Sequence, residues 1–314
     1  MRIAFWGTPD VAVPSLQAFI DAPDIDVVCV VTNPDRPRGR SSTPVASAVK
    51  LAALAHGIPV LQPERPGDIV SQLAALRIDA CAVVAYGALL SETVLALPRH
   101  GFVNLHFSLL PRWRGAAPVQ WAIRSGDSTT GITTFVLDRG MDTGPILTQH
   151  VVGLRPDDTT ETVLSDLAQR GGTHLVDAVR GLVNGSITPT AQPDDGVTLA
   201  PKIGRNDVAI SFAEPGHVID QLTRSADPTP GAHAQLRGET IKIFRAVALD
   251  TPQATAPHGT IVALTDIGPV VACKDGAVAL TQLQLPSKPR RDGHSVQNGL
   301  RLQLGEQFSD GLTV

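Results

Sequence analysis

The sequence predicts an α/β protein: a doubly wound, mostly parallel sheet followed by a smaller β-barrel or sandwich. Three observations carry that prediction. The first 186 residues hold short apolar runs (RIAFW, DVVCVV, ACAVVA) separated by helical stretches, the mark of parallel strands covered on both faces. The 314 residues exceed the roughly 100–200 of one domain, so two are expected. Beyond Gly204 the chain turns to short strand-like runs broken by turns.

The elements follow in order. Arg2–Trp6 reads as a strand stopped by Gly7-Thr8-Pro9, and Ser15–Ile20 as helix. Asp26–Thr32 is a buried strand ended by Asn33-Pro34. Thr43-Pro44 has the form of an N-cap with proline at the first helical position, which predicts a helix over Val45–Ala55. Pro59–Leu61 is a brief extended piece, Ile69–Leu76 a helix, and Ala80–Ala85 and Phe102–Leu105 are strands. Val119–Arg124 reads as helix, Gly131–Leu137 and Ile146–Val152 as strands around a Gly140–Pro145 loop, and Thr160–Leu182 as a long helix. Ile187–Pro201 is rich in Pro, Asp and Thr, has no period, and reads as a linker. The later runs Val208–Phe212, Ala234–Leu236, Thr240–Val247, Gly259–Leu264, Pro269–Cys273 and Ala277–Leu285 read as strands, with one helix near His217–Thr223. The boundaries are therefore a domain over 1–186, a linker over 187–203 and a second domain over 204–314.

Composition narrows the function. Hydrophobic residues are 43% and charged residues 18% of the chain, which fits a globular protein. A formal net charge of −4 argues against nucleic-acid binding by bulk charge, though not against a local basic patch. Cys29, Cys81 and Cys273 are odd in number and far apart, so neither a disulfide framework nor a zinc site is indicated, and no metal is expected. There is no signal-peptide pattern and no apolar run of about 18 residues, so a reduced, cytoplasmic protein is expected.

The most informative stretch is 104–145. Asn104 and His106 are two apart, so on a strand they share a face. Asp142 lies in a glycine-flanked loop between two strands. Alone, an Asn-x-His at a strand end is more often structural, and an Asp between glycines more often a turn residue. Together they suit acyl transfer to a nucleophile that supplies itself: an amide for the oxyanion, an imidazole for protons, a carboxylate to orient it. Ser108 has no nucleophile elbow around it, so direct transfer is favoured over a covalent acyl-enzyme. Arg114 reads either as a support for the Ser108–Pro118 turn or as a substrate contact, with support favoured.

The string HFSLLPRWRGAAPVQWAI, the upstream Asn104, and GMDTGPI resemble the 10-formyltetrahydrofolate-dependent transformylases. FWGTPDVAVPSL, NPDRPRGR, VVAYGALL, LAPKI and ADPTPGA extend the resemblance over nearly the whole chain, toward the branch that acts on aminoacylated tRNA. The family's opening usually carries Phe where Val11 stands, and the loop after Arg40 lacks the family's further lysines.

The resemblance implies a Rossmann-like catalytic domain and an OB-like, tRNA-binding second domain. The implied reaction moves a formyl group from 10-formyltetrahydrofolate to the α-amine of methionyl initiator tRNA. Asn104 would bond the formyl oxygen, His106 would assist proton transfer, and Asp142 would tune His106. Val84, Tyr86, Gly87, Leu89, Leu90, Ser108, Leu109, Leu110 and Pro111 would bind the folate. Arg36, Arg38, Arg40, Lys202, Arg205, Lys288, Arg290 and Arg291 are the candidates for tRNA phosphates, since basic clusters neutralise them. A monomer is expected. The rival reading is a sugar-nucleotide N-formyltransferase using the same donor.

Overall fold

A computed structural model describes residues 1–37, 43–249 and 255–311. They form two compact units: 1–118, 129–153 and 164–201 make the first, and 119–128, 154–163 and 202 onward the second.

The strands of the first unit are β1 (Arg2–Gly7), β2 (Asp26–Val31), β3 (Arg36–Pro37), β4 (Pro44–Val45), β5 (Val60–Leu61), β6 (Ala80–Val84), β7 (Phe102–His106), β8 (Thr129–Val136) and β9 (Ile146–Gly153). Its sheet runs β5-β2-β1-β6-β7-β8-β9. The first five strands are parallel; β8 and β9 join antiparallel. Every residue of β6 and five of the six in β1 are buried, which is why these strands read as unbroken apolar runs. The order turns back between β1 and β6, and in such sheets ligands bind beyond the carboxyl ends of the strands near that reversal. The helices that the chain contributes between these strands are α1 (Val13–Ile20), α2 (Ala48–Ala55), α3 (Val70–Ala75), α4 (Glu92–Leu95), α5 (Pro118–Arg124) and, after β9, the long α6 (Thr160–Asn184).

One helix start differs from expectation. The cap of α2 is Ser47, whose Oγ accepts the Lys50 amide at 3.1 Å and bonds Thr32 Oγ1 at 2.8 Å. Pro44-Val45 instead forms β4, paired with β3. Thr43-Pro44 carried the local signal, but the buried hydroxyl of Thr32 gives Ser47 a second partner. The run read as a linker is ordered as well. Ile146 and Thr190 exchange backbone bonds at 2.7 and 2.8 Å. Arg114 donates to the Thr198 carbonyl at 2.9 Å and accepts from the Ala200 amide at 2.7 Å.

The second unit is a curled antiparallel sheet with the order β12-β13-β14-β11-β10-β16, in which β15 pairs with β14. Its elements are α7 (Gly216–Ala226), β10 (Ala232–Leu236), β11 (Glu239–Leu249), β12 (Ile261–Leu264), β13 (Pro269–Cys273), β14 (Gly276–Gln284), β15 (Arg291–Asp292), α8 (Gly293–Leu300) and β16 (Phe308–Ser309). The curl brings the two edges together: Ile261 donates to the Glu306 carbonyl at 2.7 Å and Phe308 to that of Gly259 at 2.8 Å. Ile219, Leu222, Ile243, Leu280 and Phe308 pack inside. Val208–Phe212 is not the expected strand, because its backbone bonding to a strand is confined to one bridge, Ala209 with His233.

Candidate active site

The carboxyl ends of β6 and β7 open into a cavity of about 500 Å³. Val83, Leu90, Leu95 and Leu137 supply apolar wall, and Asn104, His106 and Asp142 all line it. Asn104 and His106 project to this cavity from alternate positions of β7, as the strand period requires.

The Asn104 side chain is half-buried and makes no hydrogen bond among the described residues. Its amide donors are therefore open to a ligand. His106 is only 6% exposed, and its Nε2 lies 2.8 Å from the Trp113 carbonyl oxygen. A carbonyl only accepts, so Nε2 carries a proton and donates it. In the neutral ring Nδ1 is then the basic nitrogen, and it faces Asp142 Oδ2 at 3.7 Å. That oxygen in turn accepts the Gly115 amide at 2.8 Å.

The Asp142 loop is shaped locally. Asp138 Oδ1 accepts from the Gly140 amide at 2.9 Å and the Thr143 hydroxyl at 2.7 Å. Asp142 itself sits at φ +56°, a left-handed conformation that aspartate tolerates better than most residues. A Cβ at Gly144 would lie 1.8 Å from the Val136 carbonyl oxygen, so only glycine lets the loop close there. A second support comes from outside the loop. Gln192 Nε2 donates to the carbonyls of Asp142 and Gly144, each at 2.8 Å. Gln192 Oε1 accepts from Arg114 Nε at 3.1 Å and Nη2 at 2.7 Å.

Residues 1–179 match the Formyl transferase family, and residues 202–301 match Formyl transferase, C-terminal domain. The chain belongs to the formyl transferase family. It is 43% identical to the methionyl-tRNA formyltransferase of Mycolicibacterium vanbaalenii over 305 residues, covering 96% of this chain and 98% of that protein. It is 43% identical to that of Burkholderia thailandensis over 320 residues, covering 98% and 97%. Among solved structures, the sugar 3N-formyl transferase WlaRD, crystallised in the presence of dTDP and 5-N-formyl-THF, superposes with a TM-score of 0.66 at 18% identity. That match covers 92% of this chain and 99% of WlaRD, and it shows the shared fold.

Within this formyl transferase the other expected site residues fall into groups. Tyr86, Gly87, Leu89 and Leu90 line the cavity. The Tyr86 ring packs edge-on to Trp6 at 5.0 Å, and burial pushes its hydroxyl above the ordinary tyrosine range. The Tyr86 carbonyl accepts from Asn33 Nδ2 at 3.0 Å. Val84, Ser108, Leu109, Leu110 and Pro111 are outside the lining. Ser108 instead bonds the Arg112 carbonyl at 2.6 Å, and Leu110 donates to Thr133 Oγ1 at 3.1 Å, so this segment builds the turn behind His106.

Of the basic candidates, Arg38 and Arg40 lie outside the described residues, and Arg36 is exposed. Lys202, Arg205, Lys288 and Arg291 are exposed and make no ion pair among the described residues. Arg290 is engaged: it grips both oxygens of Asp227 at 2.7 and 2.9 Å and stacks 4.3 Å over the Phe244 ring. Sequence reading missed Gln192 and the two backbone groups, Trp113 O and Gly115 N–H. Gln192 sits in an aperiodic run, and backbone groups leave no residue-type signal.

Proposed function

We propose that this chain transfers the formyl group of 10-formyltetrahydrofolate to the α-amine of methionyl initiator tRNA, giving N-formylmethionyl-tRNA. The observation that carries the chemistry is the convergence of an unpartnered amide, a basic imidazole nitrogen and a carboxylate on one cavity. Full-length likeness to methionyl-tRNA formyltransferases supports the acceptor.

The donor is a flat heterocycle with a polar rim, and the cavity offers apolar wall and backbone groups of a suitable volume. The methionyl amine attacks the formyl carbon, so the protein supplies no nucleophile. Asn104 donates to the formyl oxygen as negative charge grows there. His106 Nδ1 takes the proton that the amine loses, and that proton passes to N10 as the carbon–nitrogen bond to the folate breaks. Asp142 holds the ring in register and stabilises its protonated form. Arg36, Lys202, Arg205, Lys288 and Arg291 meet tRNA phosphates, and the chain acts as a cytoplasmic monomer. Among the described residues, no helix is long and apolar enough to cross a membrane.

The test is formyl transfer by the purified chain to methionyl initiator tRNA, with methionyl elongator tRNA and an amino-sugar nucleotide in parallel. Formylation of the initiator alone is expected. Formylation of the sugar nucleotide alone would overturn the acceptor.

A further inference from the structure

We propose that Gln192 is a positioning residue for transfer: it sets the distance between the Asp142 carboxylate and the His106 ring. The proposal rests on the formyl-transfer reading of this cavity. His106 and Asp142 are each held by a backbone group of the same strap, His106 by the Trp113 carbonyl and Asp142 by the Gly115 amide. The strap residue between those two is Arg114, whose guanidinium is fastened to Gln192 Oε1. The other end of the same amide is fastened to the Asp142 loop through two carbonyls.

One side chain therefore closes a ring of contacts through His106, Trp113, Arg114, Gln192 and Asp142. The orientation of the amide is unambiguous: its oxygen must face the guanidinium and its nitrogen the carbonyls. Neither glutamate nor any apolar residue satisfies both sides. The strap is anchored independently, since Trp113 donates to Thr198 Oγ1 at 2.8 Å, Arg114 to the Thr198 carbonyl at 2.9 Å and Ala117 to the Ala200 carbonyl at 3.1 Å. Without Gln192 the strap keeps its place, while the Asp142 loop loses its two backbone bonds to Gln192 and is left with the Gly115 amide on its carboxylate.

Gln192→Ala and Gln192→Glu in the full chain test this. Glutamate retains the Arg114 pair but turns an acceptor toward two carbonyls, so it keeps the anchor and repels the loop. Both variants are expected to lose about 10- to 100-fold in kcat, the scale of a roughly 1 Å misplacement, with KM for donor and tRNA within about threefold. Gln192→Ala is expected to cost nothing further on an Asp142→Ala background. Parental kcat, a loss confined to KM, or an additive loss overturns the proposal.

Amide exchange supplies a readout independent of turnover. The Gly115 N–H is expected to exchange about tenfold faster in Gln192→Ala, with β7 amides unchanged; an unchanged Gly115 rate overturns the proposal. A parental chain that formylates no tRNA overturns the functional reading instead, and the exchange experiment then decides the role of Gln192 alone.

Discussion

His106 and Lys288 stand at opposite ends of one property. The His106 ring is buried, bonded through Nε2 to a backbone carbonyl, and faced by a carboxylate that a backbone amide holds. Lys288 is exposed, and its ammonium makes no ion pair among the described residues. Two residues along, Arg290 is spent on the buried Asp227 and the Phe244 ring. Bond-making chemistry needs groups fixed within a fraction of an ångström, and His106 and Asp142 are each tied to a backbone group. Phosphate binding needs charge that is free to meet a mobile polyanion, so its cations are those left untied. In the Ser287–Arg291 run one arginine is used as an anchor, and its neighbours are presented.

The cavity residues carry the heaviest expected losses. Asn104→Ala, His106→Ala and Asp142→Ala are each expected to lower turnover by at least about 100-fold while the fold survives. Circular dichroism and steady-state rates on the same preparations check this. Near-parental turnover in Asp142→Ala would remove the carboxylate from the mechanism.

The next contrast lies within the basic loop. Arg290→Ala strands the Asp227 carboxylate, whose side chain is 4% exposed, and is expected to cost about 2–3 kcal/mol of stability. Urea unfolding measures it. Lys288→Ala and Arg291→Ala are expected to leave stability unchanged within about 0.5 kcal/mol and to reduce the slope of log affinity for tRNA against log salt by about 1 each. If Arg290→Ala instead behaved like its neighbours, the anchor assignment would fail.

Arg36 sharpens the same distinction in the first unit. The residue before it is well held: Lys50 Nζ bonds Asp35 at 2.6 Å and Gln62 at 2.7 Å. The lysine and glutamine contacts hold the Asp35 carboxyl below the usual range. Arg36→Glu is expected to raise KM for tRNA about 5- to 10-fold with the donor KM unchanged. Equal changes for both substrates would contradict a tRNA-facing loop.

What the sequence made legible follows the range of the forces involved. β1 and β6 were readable because burial on both faces demands unbroken apolar runs. Asn104 and His106 were readable because a strand alternates its faces. The cap of α2 was not, since Thr43 and Ser47 carry similar local signals and the choice rests on Thr32, 15 residues before Ser47. Nor was the division of labour in Ser287–Arg291, because Asp227 stands 63 residues from the arginine it claims. Gln192 was invisible for the same reason: its partners are the Arg114 guanidinium 78 residues away and backbone carbonyls 48 and 50 residues away, and a side chain that bonds backbone leaves no pattern in residue types.

The smallest expected effect concerns a pair of rings away from the cavity. His150 and His174 lie 4.7 Å apart, tilted by 32°. Burial lowers the pKa of His174 below the ordinary histidine value of 6.5, and the neighbouring His150 lowers it further. Arg170 acts in the same direction, while Asp177 opposes it. In the unfolded chain His174 takes up its proton near its ordinary value, whereas the folded chain resists until the pH is lower. The unfolded state therefore binds more protons as pH falls, and stability present above that ordinary value is lost until pH passes below the folded one. The urea midpoint of the parental chain is expected to drop more between about pH 7.5 and about pH 5.5 than that of His174→Asn. Equal drops would mean that the ring pair contributes nothing to acid sensitivity.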